Sequence, residues 1–380
     1  MSSEHPSDAK IRVLVVDDSA FIRRLMTDIL GADPEIEVVG TAADAFKARE
    51  SIKSLNPDVI TLDVEMPGMD GIQFLANLMR LRPMPVVMCS TLTEHGAGVT
   101  LEALELGAVD FVQKPTAFSS DALREYSAEV TAKVKSAACA TIRGRTSATP
   151  RRRAAANYEI PSATEKFTAD VILPRVVPRA SVPTEVIIAI GASTGGTEAI
   201  RHVLMELPAD APAIVIAQHI PKAFSGPFAR RMDASCALSV TEAEDGQLVS
   251  AGNVYIAPGD RHLLLVREGG RYRCRLSDGL PVQRHKPSVD VLFRSVAQAA
   301  GANAIGVMLT GMGRDGAECM KEMREAGAAN IAQDEATSVV WGMPGAAYEV
   351  GAVHSLHPLQ HIASKVLELA AARMRSRRVS

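Results

Sequence analysis

Glu185-Val-Ile-Ile-Ala-Ile-Gly-Ala-Ser-Thr-Gly-Gly196 decides how the C-terminal half of this chain is read. The apolar run to Ile190 reads as a strand, the glycines as a tight turn, and the residues through Leu207 as a helix. Working outward, the same rhythm recurs. Ala213–Ala217 is a strand ending at Gln218-His219, and Ala304–Leu309 is another, ending at Thr310-Gly-Met-Gly-Arg-Asp-Gly316. Asn253–Ala257 and His262–Val266 are strands separated by the turn residues Pro258-Gly259-Asp260. Strand–helix alternation of this kind predicts a doubly wound, mainly parallel α/β sheet.

The first third repeats the pattern. Ile11–Val16 is a strand ending in Asp17-Asp18, and Ala20 to Leu30 reads as a helix. Val38–Thr41, Asp58–Leu62, Pro85–Cys89 and Phe111-Val112 are further strands with helical stretches between them. Between the two α/β regions, residues 136–182 are rich in Ala, Arg, Thr, Ser and Pro and lose hydrophobic periodicity, which predicts a mobile tether. Val171-Ile-Leu is the one stretch there apolar enough to dock locally. The expected organisation is a tail (1–10), a first domain (11–130), a basic linker (131–183) and a second domain (184–380).

The 380 residues suit two domains, each able to bury a core. Net charge is −3, but residues 1–135 carry 13 basic and 21 acidic side chains, residues 136–182 carry 8 and 3, and residues 183–380 carry 20 and 20. The neutral last segment argues against a large nucleic-acid-binding effector, which needs a basic face. Five scattered cysteines without a C-x-x-C pair indicate neither a disulfide framework nor a zinc ribbon, and fit a reduced, cytoplasmic compartment. No signal peptide, membrane span, internal repeat or Walker A pattern is read.

In the first domain, chemistry gathers at strand ends: Asp17 and Asp18 after the first, Asp63 after the third, Ser90 after the fourth, Lys114 after the fifth. C-terminal strand ends of an open parallel sheet share one edge, where ligands bind. Three carboxylates there call for a hard cation, and Mg²⁺ fits because it keeps positions open for phosphate oxygens. A single such aspartate is ordinarily a helix N-cap; the full set is far more specific. It resembles the receiver domain of two-component response regulators, a flavodoxin-like fold, over residues 11–130, with Pro67-Gly-Met-Asp-Gly71 strengthening the match. The resemblance implies Asp63 as phospho-acceptor, Asp17, Asp18, Asp63 and the Glu65 carbonyl as Mg²⁺ contacts, and Ser90, Phe111 and Lys114 as switch residues.

In the second domain, Gly191-x-Ser193-x-Gly195 is a nucleophile-elbow pattern. Of seven histidines, His219 alone ends an apolar strand, so it shares the predicted edge with Ser193; His285 is the alternative base. His202 reads as a surface residue. His354, His357 and His361 read as a solvated helix start with Pro358 at an early position. Asp315 again follows a strand, which completes a nucleophile, a base and an orienting acid. These residues, with Gln218-His-Ile-Pro221, Ala257-Pro-Gly-Asp260, His285-Lys-Pro-Ser-Val-Asp290, Leu309–Ala317 and Trp341-Gly-Met-Pro-Gly345, make residues 184–370 similar to the catalytic domain of chemotaxis protein-glutamate methylesterases, which are also glutaminases. The resemblance implies Ser193, His219 and Asp315 as the triad. The Met312 N–H would serve the oxyanion hole, with Thr194 near it. Arg314 departs from the small polar residue the family pattern suggests.

The resemblance further implies metal-free hydrolysis of glutamyl methyl esters, and deamidation of glutamines, on chemoreceptor cytoplasmic helices, under control of a chemotaxis histidine kinase. A tether of about 45 residues spans roughly 35–40 Å, so the receiver is expected to reach the esterase edge and inhibit it until Asp63 is phosphorylated.

Overall fold

The computed structural model describes residues 10–91, 94–115, 118–142, 166–176 and 185–379. The chain divides between Arg153 and Ala154 into two compact units.

The first unit alternates β1 (Ile11–Val16), α1 (Ala20–Gly31), β2 (Ile36–Ala42), α2 (Ala45–Leu55), β3 (Val59–Asp63), α3 (Gly71–Leu81), β4 (Val86–Ser90), α4 (Glu94–Glu105), β5 (Asp110–Gln113) and α5 (Ser120–Ala138). Its sheet has the order β2-β1-β3-β4-β5, parallel throughout. The direction of winding reverses between β1 and β3, which opens a crevice at their C-terminal ends. Some acidic and hydroxyl residues do cap helices: Ser19, Asp44, Asp70 and Ser119 each accept a backbone N–H of the helix that follows.

α5 continues eight residues past 130, into the stretch expected to be tether. Tyr126, Val130, Val134 and Ala137 keep a helical spacing and are buried, while Lys135 Nζ pairs with Asp33 at 2.7 Å and Glu35 at 3.0 Å. Residues 143–165, including the basic run Arg151-Arg152-Arg153, lie outside the described residues.

The second unit runs β6 (Ile187–Ala192), α6 (Gly196–Met205), β7 (Ala213–Gln218), α7 (Lys222–Ser235), β8 (Ser239–Glu242), β9 (Asn253–Ile256), β10 (His262–Glu268), β11 (Arg271–Ser277), α8 (Val289–Ala300), β12 (Ala304–Met308), α9 (Ala317–Glu325), β13 (Ala329–Gln333), α10 (Met343–Glu349), β14 (Ser355–His357) and α11 (Leu359–Val379). Seven strands form a parallel sheet in the order β14-β13-β12-β6-β7-β9-β8. β6 is its pivot: chain order runs outward through β7 on one side and through β12 on the other. β10 leaves the sheet after Pro258-Gly259-Asp260 and pairs antiparallel with β11 as a separate hairpin.

One expectation changes here. His354 and His357 do not begin a helix. His357 closes β14, a short edge strand paired with β13, and His354 packs beside Asn330. The helix starts only after Pro358, which cannot donate a backbone N–H. The local docking expected of Val171-Ile-Leu is present at the end of the tether, and the ordered segment there begins before it. A short 3₁₀ turn, Ala169–Val171, buries Ala169 in the core of this unit, and Ile172 and Leu173 pack against that core. Arg294 of α8 holds the segment through Asp170 Oδ1 at 2.8 Å and the Leu173 carbonyl at 3.1 Å. Among the described residues, no helix is long and apolar enough to cross a membrane.

Candidate catalytic triad and receiver pocket

Ser193 follows β6 and Asp315 lies in the loop between β12 and α9, so the candidate nucleophile and acid flank the line where the winding of the sheet reverses. His219 ends the neighbouring β7. His219 Nδ1 lies 3.1 Å from Ser193 Oγ, and His219 Nε2 lies 2.8 Å from Asp315 Oδ2. The tautomer this arrangement needs carries its proton on Nε2, leaving Nδ1 to accept from the Ser193 hydroxyl. Ser193 is partly open to solvent, whereas His219 is largely covered and Asp315 is sealed.

The turn that exposes Ser193 depends on two glycines. Gly195 has φ +74°, a left-handed conformation that costs any β-carbon. Gly311 passes so close that a Cβ there would lie 2.8 Å from Ser193 Cβ. The Ser193 N–H donates to the Thr310 carbonyl at 3.0 Å, so it is committed to structure. Among the described residues no acceptor meets the Met312 N–H, which follows Gly311 beside the nucleophile. Thr194 is buried, its carbonyl accepting from Thr310 Oγ1 at 3.0 Å. The Trp341–Gly345 stretch braces this loop, with the Gly342 and Met343 N–H groups both donating to the Gly311 carbonyl. Arg314 points to an ion pair with Glu349 at 3.1 Å.

The acid is held by groups that the sequence patterns alone did not single out. Asp315 accepts from Ser288 Oγ (2.8 Å), the Val289 N–H (2.8 Å) and the Asp290 N–H (3.0 Å), all at the start of α8. A helix N-terminus favours an anion there. Burial by itself raises the Asp315 carboxyl, but the His219 hydrogen bond, the imidazole charges of His219 and His285, and the Val289 N–H together hold it below its ordinary value. Asp290 returns the favour to the next helix, accepting the Cys319 N–H of α9 at 3.1 Å. Gln218 links nucleophile and base, its Nε2 donating to the Ser193 carbonyl (3.0 Å) and the His219 carbonyl (3.1 Å). His285 does not lie between base and nucleophile; its ring stacks on His219. For Ser288, Val289, Asp290 and Gln218 the only sequence signal was their place inside the quoted blocks, whereas His285 stood out as the alternative base.

In the first unit, Asp17, Asp18 and Asp63 bring one oxygen each within 4.8 Å of the others. Lys114 Nζ lies 2.8 Å from both Asp17 and Asp63. Burial pushes the Asp63 carboxyl up to about 6; Lys114 opposes that shift and the Asp17 charge adds to it. An all-oxygen, all-anionic donor set with one half-buried lysine beside it suits Mg²⁺. The Glu65 backbone borders the pocket, its N–H donating to Asp63 Oδ1 at 3.2 Å. Ser90 is buried at the end of β4, its Oγ donating to the Thr91 carbonyl at 3.3 Å. Phe111 is buried under the Lys133 ammonium, which sits 4.9 Å from the ring centroid.

Comparison with known proteins agrees with this division. Residues 188–366 match the CheB methylesterase family and residues 13–126 the response regulator receiver domain. The protein-glutamate methylesterase/protein-glutamine glutaminase of Hydrogenovibrio crunogenus is 54% identical over 372 residues, covering 95% of this chain and 99% of that protein. The protein-glutamate methylesterase/protein-glutamine glutaminase 1 of Geobacter metallireducens is 54% identical over 353 residues, 93% and 94% of the two chains. The crystal structure of the Thermotoga maritima CheB methylesterase catalytic domain is 37% identical and covers 49% of this chain and all of that one, with a TM-score of 0.48.

Proposed function

This chain belongs to the receiver-bearing protein-glutamate methylesterase/protein-glutamine glutaminase family, and from that premise we propose a Ser193–His219–Asp315 mechanism switched by phosphorylation of Asp63. The substrates are glutamyl γ-methyl esters, and certain glutamines, on the cytoplasmic helices of chemoreceptors. The observation that carries the reading is the unbroken hydrogen-bond line from Ser193 Oγ through His219 to Asp315.

Ser193 Oγ attacks the acyl carbon while His219 Nδ1 takes its proton. The imidazolium formed is steadied by Asp315 through Nε2. The tetrahedral oxyanion is met by the Met312 N–H, a donor of a kind commonly worth about 2.7–4 kcal/mol. His219 returns the proton to the departing methoxide, releasing methanol and leaving an acyl-Ser193. Water, deprotonated by His219, then frees the glutamate carboxylate and regenerates Ser193. Glutaminase turnover is the same path with ammonia leaving.

A chemotaxis histidine kinase in the cytoplasm supplies the phosphoryl group. Asp17, Asp18 and Asp63, with the Glu65 carbonyl, would hold Mg²⁺, which supplies charge neutralisation for phosphoryl transfer when bound. Asp63 Oδ is the nucleophile, Lys114 holds a phosphoryl oxygen, and Ser90 and Phe111 rearrange to relay the change. The test is methanol release from methylated receptor membranes. Wild type releases methanol and Ser193→Ala does not; equal rates would overturn the triad. A small phosphodonor raises the wild-type rate and leaves Asp63→Asn at its basal rate; a response in Asp63→Asn would overturn the switch.

A further inference from the structure

We propose that His285 is a positioning residue for the triad base, its ring fixing the plane in which His219 addresses Ser193 and Asp315. The inference rests on the reading of His219 as the base. The two imidazoles stack with centroids 3.7 Å apart and planes 13° from parallel. Rotation of the His219 ring about its Cβ–Cγ bond would swing Nδ1 and Nε2 off Ser193 and Asp315. A flat surface against one face limits that rotation and keeps Nδ1 aimed at Ser193 Oγ, the alignment a proton transfer needs.

The backbone is shaped for this task. Val282 and His285 exchange N–H···O bonds of 3.0 and 2.8 Å across a two-residue turn, with Gln283 at φ +49° and Arg284 at φ +69°. Two successive non-glycine residues in the left-handed region form a strained turn that its surroundings must hold in place. The Gln283 N–H is tied to the Phe167 carbonyl at 3.0 Å. His262, fully buried at the start of β10, clasps the segment at both ends: its Nε2 meets the Leu280 carbonyl at 2.9 Å and its Nδ1 accepts the Ser288 N–H at 3.2 Å. Burial pushes His262 below its ordinary pKa, which keeps it in the neutral form that can both donate and accept. Three residues after His285, Ser288 and the α8 N-terminus grip Asp315. One clasped segment thus backs the base and holds the acid.

Three variants of the full-length chain test this on methylated receptor membranes, with melting curves confirming that each folds. His285→Gln removes the flat ring but keeps polarity; kcat should fall about tenfold or more with KM within about twofold. His285→Phe keeps the flat face without an ionisable nitrogen and should recover most of the lost kcat. Wild-type kcat in His285→Gln overturns the proposal. So does a loss in His285→Phe as large as in His285→Gln, or a loss confined to KM, since either assigns His285 a polar or substrate-binding task. His219→Ala serves as reference: if it keeps full activity, the base assignment itself fails; if it is inactive while both His285 variants match wild type, only the positioning role fails.

Discussion

Ser288 Oγ sits 2.8 Å from Asp315 Oδ1, and neither residue reaches solvent. The proposed triad acid is held anionic inside the protein first by His219 and, beside it, by the first turn of α8. Its carboxyl lies below the ordinary value despite burial. A depressed acid contributes stability that is present above its unfolded pKa and lost as pH falls through the folded one. Asp315→Asn removes the anion and presents an amide to His219 Nε2, so kcat for methanol release should fall on the order of 10⁴-fold while binding persists. Ser288→Ala deletes one hydrogen-bond donor to Asp315 and the α8 N-cap together. It should cost about 1–2 kcal/mol in denaturant titration and lower kcat more than it alters KM.

Asp290 runs the other way. Burial, reinforced by the charge of Asp315, pushes its carboxyl up to about 7. The folded state then binds a proton that the unfolded chain has released between about pH 4 and pH 7, so this residue's contribution to stability declines across that window. Asp290→Asn keeps an acceptor for the Cys319 N–H and removes the titration. The variant should be more stable than wild type at pH 8 and gain nothing at pH 4–5. Parallel denaturation curves at the two pH values check this, and an equal difference at both would exclude the assignment.

What the sequence revealed follows from where signals are local. Strand-end chemistry was legible because period and punctuation are local: Asp17, Asp63, Ser193, His219 and Asp315 each follow an apolar run. β8, β11 and β14 were not, because they are short or partly exposed, and β13 was not, because Asn330 and Gln333 interrupt its apolar run. The ordered ends of the tether were hard to read for a related reason. α5 keeps its helical spacing to Ala137 beneath a polar surface composition, and Ala169 is buried by a partner surface absent from its own neighbourhood. The helpers Ser288, Gln218 and His285 act through geometry that converges only in the fold.

Asp63 offers a readout of the cation pocket that does not depend on esterase activity. Its carboxyl is raised to about 6 chiefly by burial, with Lys114 opposing. Stability from this residue therefore declines between about pH 4 and pH 6, and above that window a bound cation would offset the buried charge. Millimolar MgCl₂ should raise the melting temperature at pH 7.5 and do little at pH 5, where protons compete. Asp63→Asn should melt higher than wild type without Mg²⁺ at pH 7.5 and lose most of the Mg²⁺ increment. An identical increment in Asp63→Asn would remove Asp63 from the cation site.

Arg294 joins three segments that the sequence keeps far apart. Its guanidinium, 5% exposed, donates to both Glu322 carboxylate oxygens at 2.7 and 2.9 Å, to Asp170 and to the Leu173 carbonyl. Removing one partner of a buried ion pair strands the other charge, so Arg294→Met should cost about 3–5 kcal/mol. Glu322→Gln in the same chain relieves the stranded charge and should restore part of that loss. The strap has a second signature. Lys166 and Arg175 flank the segment held by Arg294, and Arg175 is itself tied to Glu325 at 2.6 Å. Arg294→Met should speed tryptic cleavage at these two sites under native conditions, before global unfolding. The double variant should recover stability without recovering protection there, because Glu322→Gln leaves Asp170 and Leu173 without their shared partner. Protection equal to wild type in Arg294→Met would show that Ala169, Ile172 and Leu173 hold the strap through apolar packing alone.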